Sequence, residues 1–386
     1  MAASPSTITP LGRSTKSSWI RMAPRLVCVV IACMVGSSSS TFTVTNGIMQ
    51  EGTPDQLGTY ILTNDRTGDF AEVIWESGGR LEQLNLNGHD VLITHQDNAT
   101  MVRENPHWRS CPLVPFANRI RDGEYSWPLG QPDATSYSLP LNEVSDDRSD
   151  ALHGFLCNKT LELRAKSVDN EDDGAMVAIG YEFEPDSEIG YPFHIDVTLI
   201  YKLTSDGITV TVRVVNKEDQ IDVPLTISWH PYLAVQDVSQ AVIHSACPLR
   251  HVVMGDGAPR HGDLIPTGNT ETWDDFDGTH QVGGNSTNPT YMDDEFRLTP
   301  SIHACPNLEV AITDVAANNV TTVLFADPQF RYLQIYTGAM ENWGESSIAV
   351  EPMVGKADAF NNGDGLQVLS ADTTFEGTFG FKVRQA

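Results

Sequence analysis

Hydrophobic and polar residues alternate in short runs along most of the chain. The clearest cover residues 72–76, 176–183, 195–201, 208–215, 322–326, 332–336 and 348–350. A period of two sends alternate side chains to a core and to solvent, so each run predicts a half-buried strand. Gly, Pro, Asn and Asp punctuate the runs, and few segments beyond residue 40 carry the period of a helix. The pattern predicts an all-β chain, a large antiparallel β-sandwich with long crossing connections. It would occupy residues 41–386 as a single domain, since no linker or propeller-like repeat interrupts it. A last strand pair is expected from 365–370 and 373–383, after a turn-forming run at 361–365. Two polar stretches, 131–150 and 261–288, read as long loops. Trp273, Phe276 and Tyr291 would pack the second one down, as part of a site rim.

Charge narrows the partners. The 386 residues carry a formal charge of -27. Four of the 24 basic residues, Arg13, Lys16, Arg21 and Arg25, fall in the first 40 positions, and no acid precedes Glu51. The remainder is strongly acidic, which disfavours nucleic acid and anionic membranes and favours solubility or attraction of cations. The basic start leads into an apolar run at 26–35, too short to span a bilayer but suited to a secretory signal, so residues 1–40 read as a targeting segment. Met22, just before that run, is an alternative start. A secreted chain, without stable membrane association once the signal is removed, makes Asn98, Asn158, Asn285 and Asn319 candidate glycosylation sites, each in an Asn-x-Thr context. Four cysteines then remain, Cys111, Cys157, Cys247 and Cys305. Cys247 with Cys305 is the favoured pair because both sit in Ala-Cys-Pro loops, with free thiols the alternative.

Two strand ends present a titratable group followed by proline: Ser228-Trp229-His230-Pro231-Tyr232 and Ala349-Val350-Glu351-Pro352. Proline limits the backbone, and apolar neighbours can tune a proton affinity, so one group could act as acid and the other as base. A buried structural histidine is the plainer reading of His230. Asn118-Arg119 follows a proline-rigid loop, where the guanidinium could hold a polyhydroxyl or anionic ligand or simply tie the loop down. His153, beside Gly154, and Asp293, in an acidic cluster, could each contact a ligand or serve a turn and a solvated face respectively. Neither metal-ligand spacing nor a Gly-rich phosphate loop is evident, so no cofactor or metal is expected.

Asn118-Arg119-Ile120, Leu152-His153-Gly154-Phe155, Trp229-His230-Pro231-Tyr232, Asp293-x-x-Phe296, Tyr336-Thr337 and Glu351-Pro352 followed by Asp358-Ala-Phe-Asn361 stand in this order. Together they resemble the aldose 1-epimerase, or galactose mutarotase, family from about residue 55 to the C-terminus. The resemblance implies a β-supersandwich with a cleft across one sheet and a sugar as the small-molecule partner. It implies that His230 protonates the ring oxygen and Glu351 takes the proton of the anomeric hydroxyl. Arg119, His153 and Asp293 would hold the sugar hydroxyls, with Asn118 and Trp229 supporting them. The run Leu369-Ser-Ala-Asp-Thr-Thr departs from a Pro-Gly-Glu turn common in relatives. The expected activity is interconversion of the anomers of a free hexose by a monomer or weak dimer. A hexose-6-phosphate 1-epimerase, a sugar-binding protein without turnover, and a two-carboxylate glycoside hydrolase or lyase are the alternatives.

Overall fold

The longest alternating runs form the strands they predict. Ile195–Thr204 buries every second residue without exception, and Gly207–Asn216 pairs with it along its whole length. The computed structural model describes residues 42–384 apart from 51, 54–55, 94–98, 146–148, 170–173, 256–263, 283, 286–287, 290–291, 300–304, 306 and 338–346. The expected segment 1–40, Asn98 and Tyr291 lie outside the described residues.

Among the described residues, two large antiparallel sheets face each other. One has nine strands, ordered from Glu162–Asp169 at one edge through Thr374–Arg384 to Asp277–Gln281 at the other. The other has eight strands and carries Asp293–Leu298, Tyr332–Tyr336 and Ser347–Met353 at its centre. Trp229 of the second sheet stacks on Phe379 of the first at 4.9 Å between ring centroids, and Phe381 lies 5.3 Å away. Burying these rings and the facing aliphatics between the layers supplies the main apolar driving force. A further antiparallel sheet of five strands begins the described chain. No helix among the described residues is long and apolar enough to cross a membrane.

Three expectations need correction. Gln367–Leu369 pairs with Val223–Leu225 rather than with Thr374–Arg384, which joins the nine-stranded sheet between Gly207–Asn216 and Val320–Ala326. A tight turn at Ser370–Thr373 is present, but the strands it joins go to different sheets. The run at 361–365 does turn, directly after the end of a short helix, Ala359–Asn362. The two polar stretches are partly strand: Thr135–Ser138 and Pro266–Trp273 are largely exposed edge elements that each pack a single aromatic, Tyr137 and Trp273, on the core. Trp273 and Phe276 pack on Phe296, at 5.2 and 4.9 Å, and neither lines the cavity described below.

Candidate active site

Register in the eight-stranded sheet builds the floor of a cavity. Glu295, Gln334 and Glu351 are direct partners across three adjacent strands, and Asp293 is the partner of Tyr336. Partners and residues two apart share a face, so these five side chains stand together. The intervening Phe296, Leu333, Ile335 and Val350 are fully buried on the opposite, sandwich side. Thr337 secures the start of this strand by exchanging hydrogen bonds with Met292: its hydroxyl accepts the Met292 N–H at 2.8 Å. Glu351 lies inside Ser347–Met353 rather than at a strand end.

His230 reaches over this floor because the neighbouring strand is broken. Ser228–Trp229 and Tyr232–Ala234 both pair with Ser347–Met353, and His230-Pro231 lies between them. Val350 and Val354 donate their N–H groups toward this side, to Pro231 and Ile227. Pro352, between them, has no N–H to donate, so the interruption leaves no orphaned donor there. The backbone of His230 is held to the segment before Cys111: its N–H donates to the Cys111 carbonyl at 3.0 Å and its carbonyl accepts from Ser110 at 2.8 Å. Trp229 is buried and donates through its indole N–H to the Ser110 carbonyl at 2.7 Å, so it supports the segment without lining the cavity. The imidazole stacks on Tyr232 at 5.0 Å and brings Nε2 to 3.3 Å from Glu351 Oε1.

The second wall is a chain of polar contacts. Arg119 makes a bidentate pair with Glu143 (2.6 and 2.9 Å) and donates to Asn118 Oδ1 at 3.0 Å. Asn118 donates to Gln334 Oε1 at 3.2 Å, and Gln334 donates to Asp293 Oδ1 at 2.7 Å. Each link fixes the orientation of the next, as a planar guanidinium and two amides can. Asp358 secures the Arg119 backbone, donating its N–H to the Arg119 carbonyl at 2.7 Å and accepting from Arg121 N–H at 3.1 Å. His153 enters from a turn at positive φ. Its neighbour Gly154, also at positive φ, lies so close to the Val114 carbonyl that a Cβ would stand 2.4 Å from that oxygen. Glycine is required there, and the close packing aims the His153 ring at His230, 5.2 Å away.

All six sequence-identified site residues, Asn118, Arg119, His153, His230, Asp293 and Glu351, therefore line one cavity of about 190 Å³. Sequence reasoning missed Gln334, Glu143, His107 and Trp108, which line it too. A glutamine inside the otherwise apolar strand Tyr332–Tyr336 was the one available signal. Glu143 had none, being one acid in a polar stretch of an acidic chain. The two expected disulfide partners Cys247 and Cys305 are joined, and Cys111 is bonded to Cys157.

Burial sets the electrostatics. It pushes the Glu351 carboxyl well above the usual carboxylate range; the Asp293 charge adds to this and Arg119 opposes it. It pushes the His230 imidazole down to about 3, its own backbone opposing, with His107 and Arg119 adding to the fall. His153 is likewise held neutral by burial, with His230 and Arg119 contributing. Burial also works against the Arg119 charge, but Asp293 and Glu143 outweigh it and hold the guanidinium above its usual range. Over a wide span of pH the His230–Glu351 pair thus carries a single proton. Among the described residues, one group could hold a cation, Glu182, Glu184 and His194, and none of them lines the cavity.

Glu295, on the same face of the sheet but outside the cavity lining, is fully buried. One of its oxygens accepts the Ala357 N–H at 3.0 Å and the other has no partner. Burial pushes it up to about 8. The folded protein then binds a proton at Glu295 between pH 4.5 and 8 that the unfolded chain has lost, so this group makes stability fall as pH rises through that window. Glu295→Gln keeps an acceptor for Ala357 and removes the titration. We expect the variant to gain on the order of 2–4 kcal/mol over wild type between pH 4.5 and 8, read by urea unfolding at both ends. Equal pH dependence in the two proteins would contradict this.

A family model described as aldose 1-epimerase matches residues 60–382. Among solved structures, the fold is similar to a galactose mutarotase-like protein from Clostridium acetobutylicum, with a TM-score of 0.72 and 19% identity over 90% of this chain and 99% of that one. It is also similar to galactose 1-epimerase from Lactobacillus acidophilus (0.68, 15%, 90% and 100%) and to an aldose epimerase homologue from C. elegans (0.67, 13%, 89% and 100%). At these identities the likeness concerns the fold. A search of curated proteins finds no match.

Proposed function

The chain belongs to the aldose 1-epimerase family, and on that premise we propose that it interconverts the α and β anomers of a free aldohexose by acid–base ring opening and closure. The observation that carries this reading is the 3.3 Å approach of His230 Nε2 to Glu351 Oε1 inside a buried polar cavity. Ring opening moves one proton off the anomeric hydroxyl and one onto the ring oxygen as the C1–O5 bond breaks. Glu351 accepts the first and His230 supplies the second. The C1–C2 bond then turns, and closure on the other face of the aldehyde returns both protons.

The pair needs one proton in total, which is the count it holds. Before a sugar binds, burial places that proton on the carboxyl, whereas the reaction begins from carboxylate and imidazolium. Sugar hydroxyls donating to Glu351, together with the Arg119 charge, offset the cost of that exchange. Arg119, His153 and Asp293 hold the remaining hydroxyls, and Asn118 keeps Arg119 and Gln334 in register.

The lining favours a free sugar over a 6-phosphate. Glu143, Asp293 and Glu351 present three carboxyl groups, and the Arg119 guanidinium is already engaged by Glu143. A phosphate dianion would meet more acid than base. A glycoside hydrolase would leave His230 without a role. Polarimetry across glucose, galactose, xylose and their 6-phosphates tests the reading. Acceleration confined to free sugars is expected; acceleration of phosphorylated sugars alone, or of none, would sink it.

We further propose that the protein is secreted. The apolar run at 26–35, two disulfides and the exposed sequon residues Asn158 and Asn319 support this. After expression in a eukaryotic secreting host, glycosidase treatment should lower the apparent mass of protein recovered from the medium; retention inside the cell with no mass shift would contradict it.

A further inference from the structure

Trp108 adopts a backbone conformation that bulky residues seldom take. Its φ is +50°, and Asn105 and Ser110, close by, stand at +41° and +52°. Left-handed backbone suits asparagine and disfavours tryptophan, and such outliers cluster where a side chain must be aimed. The surroundings enforce it. The Trp108 N–H donates to the Asn105 carbonyl at 3.1 Å, and the Cys111 N–H donates to the Trp108 carbonyl at 3.0 Å. The Asn105 side chain closes the turn, donating to the Arg109 carbonyl and accepting from the Arg109 N–H, at 3.0 and 2.9 Å. The Cys111–Cys157 disulfide then ties the turn to the segment following His153 and Gly154.

The outcome is a half-buried indole at the cavity wall. It packs against the cluster around the disulfide, and its ring meets His153 edge-on at 5.0 Å and 63°. The hydrogen bonds that fix the turn run through backbone and Asn105, so the turn itself does not require an indole.

We propose that Trp108 is a specificity-determining residue whose ring receives the C–H face of the bound pyranose. This rests on the sugar-processing reading above. A pyranose presents C–H groups on its faces and hydroxyls at its edge. Arg119, His153 and Asp293 offer charge and hydrogen bonds to the edge; Trp108 offers a large rigid apolar surface to a face, which costs little side-chain freedom. An aldose with a hydroxyl projecting from that face fits less well, so Trp108 ranks epimers as well as binding them.

Trp108→Ala and Trp108→Phe, assayed by polarimetry and by calorimetric titration with the best free aldohexose, test this. Losing an interaction made equally in ground and transition states raises KM and leaves kcat. We expect KM and Kd to rise about five- to tenfold in Trp108→Ala, kcat to stay within about threefold, and Trp108→Phe to recover most of the loss. Unchanged KM and Kd in Trp108→Ala overturn the proposal. So does a collapse of kcat in both variants, which would mean a structural role. A wild-type protein that binds sugar without turnover would refute the epimerase reading while the Kd series still decides on Trp108. One that neither binds nor turns over refutes both.

Discussion

Glu351→Gln is expected to lower kcat for anomer interconversion by on the order of 10²–10⁴ while leaving KM and the fold nearly unchanged. The amide has the shape of the carboxyl and cannot take a proton. Glu351 is almost fully enclosed, with one oxygen lacking a partner, and its raised proton affinity means that the resting site already holds a neutral group there. Replacing one neutral group with another of equal volume therefore disturbs packing little, and the loss reports on chemistry. Polarimetric decay of one anomer at neutral pH reads it directly. Near-normal turnover would remove Glu351 from the mechanism. The same pair predicts the wild-type pH profile. Below about 3 both groups carry protons and no base remains. As pH rises through the elevated Glu351 value the pair loses its only proton, and no acid remains. Turnover should fall at both limits and hold between them.

His230→Asn is expected to give the second large effect, also on the order of 10²–10⁴ in kcat. Asparagine is short and does not titrate, so it can neither reach the Nε2 position beside Glu351 nor deliver a proton to a ring oxygen. The backbone contacts that hold the segment, to Cys111 and Ser110, do not involve the side chain, and the fold should survive with a modest cost from the lost stacking on Tyr232. Circular dichroism and the urea midpoint separate this from unfolding. A variant that folds and keeps turnover would leave the acid unassigned.

Much of this was legible in the chain, for identifiable reasons. Strands buried on one face, such as Ile195–Thr204, announce themselves by alternation. Polar edge strands such as Pro266–Trp273 do not, because most of their side chains are exposed and only Trp273, at the end, packs on the core. The end of the chain misled because a local turn does not state which strands its arms will join: Gln367–Leu369 finds Val223–Leu225, more than 100 positions away in sequence. At the site, His230 and Glu351 were visible as titratable groups fixed by proline. That they meet depends on the ladder break opposite Pro352, which only pairing reveals. Gln334 and Glu143 act by linking other groups; Gln334 is marked only as a glutamine inside an apolar strand, and Glu143 has no mark in the sequence. Trp108 depends on a left-handed turn without glycine, which composition cannot signal.

Whether His230 and Glu351 work as one proton-transfer unit is tested most directly by a double-mutant cycle. Exchange between the α and β forms of a free aldohexose would be measured by NMR at neutral pH for wild type, His230→Asn, Glu351→Gln and the double variant. Residues acting as a unit are strongly non-additive, so both single variants and the double variant should fall to a similar low rate. If the two losses instead multiply, or either single variant exchanges anomers near the wild-type rate, the two groups do not act as a pair and the account is wrong.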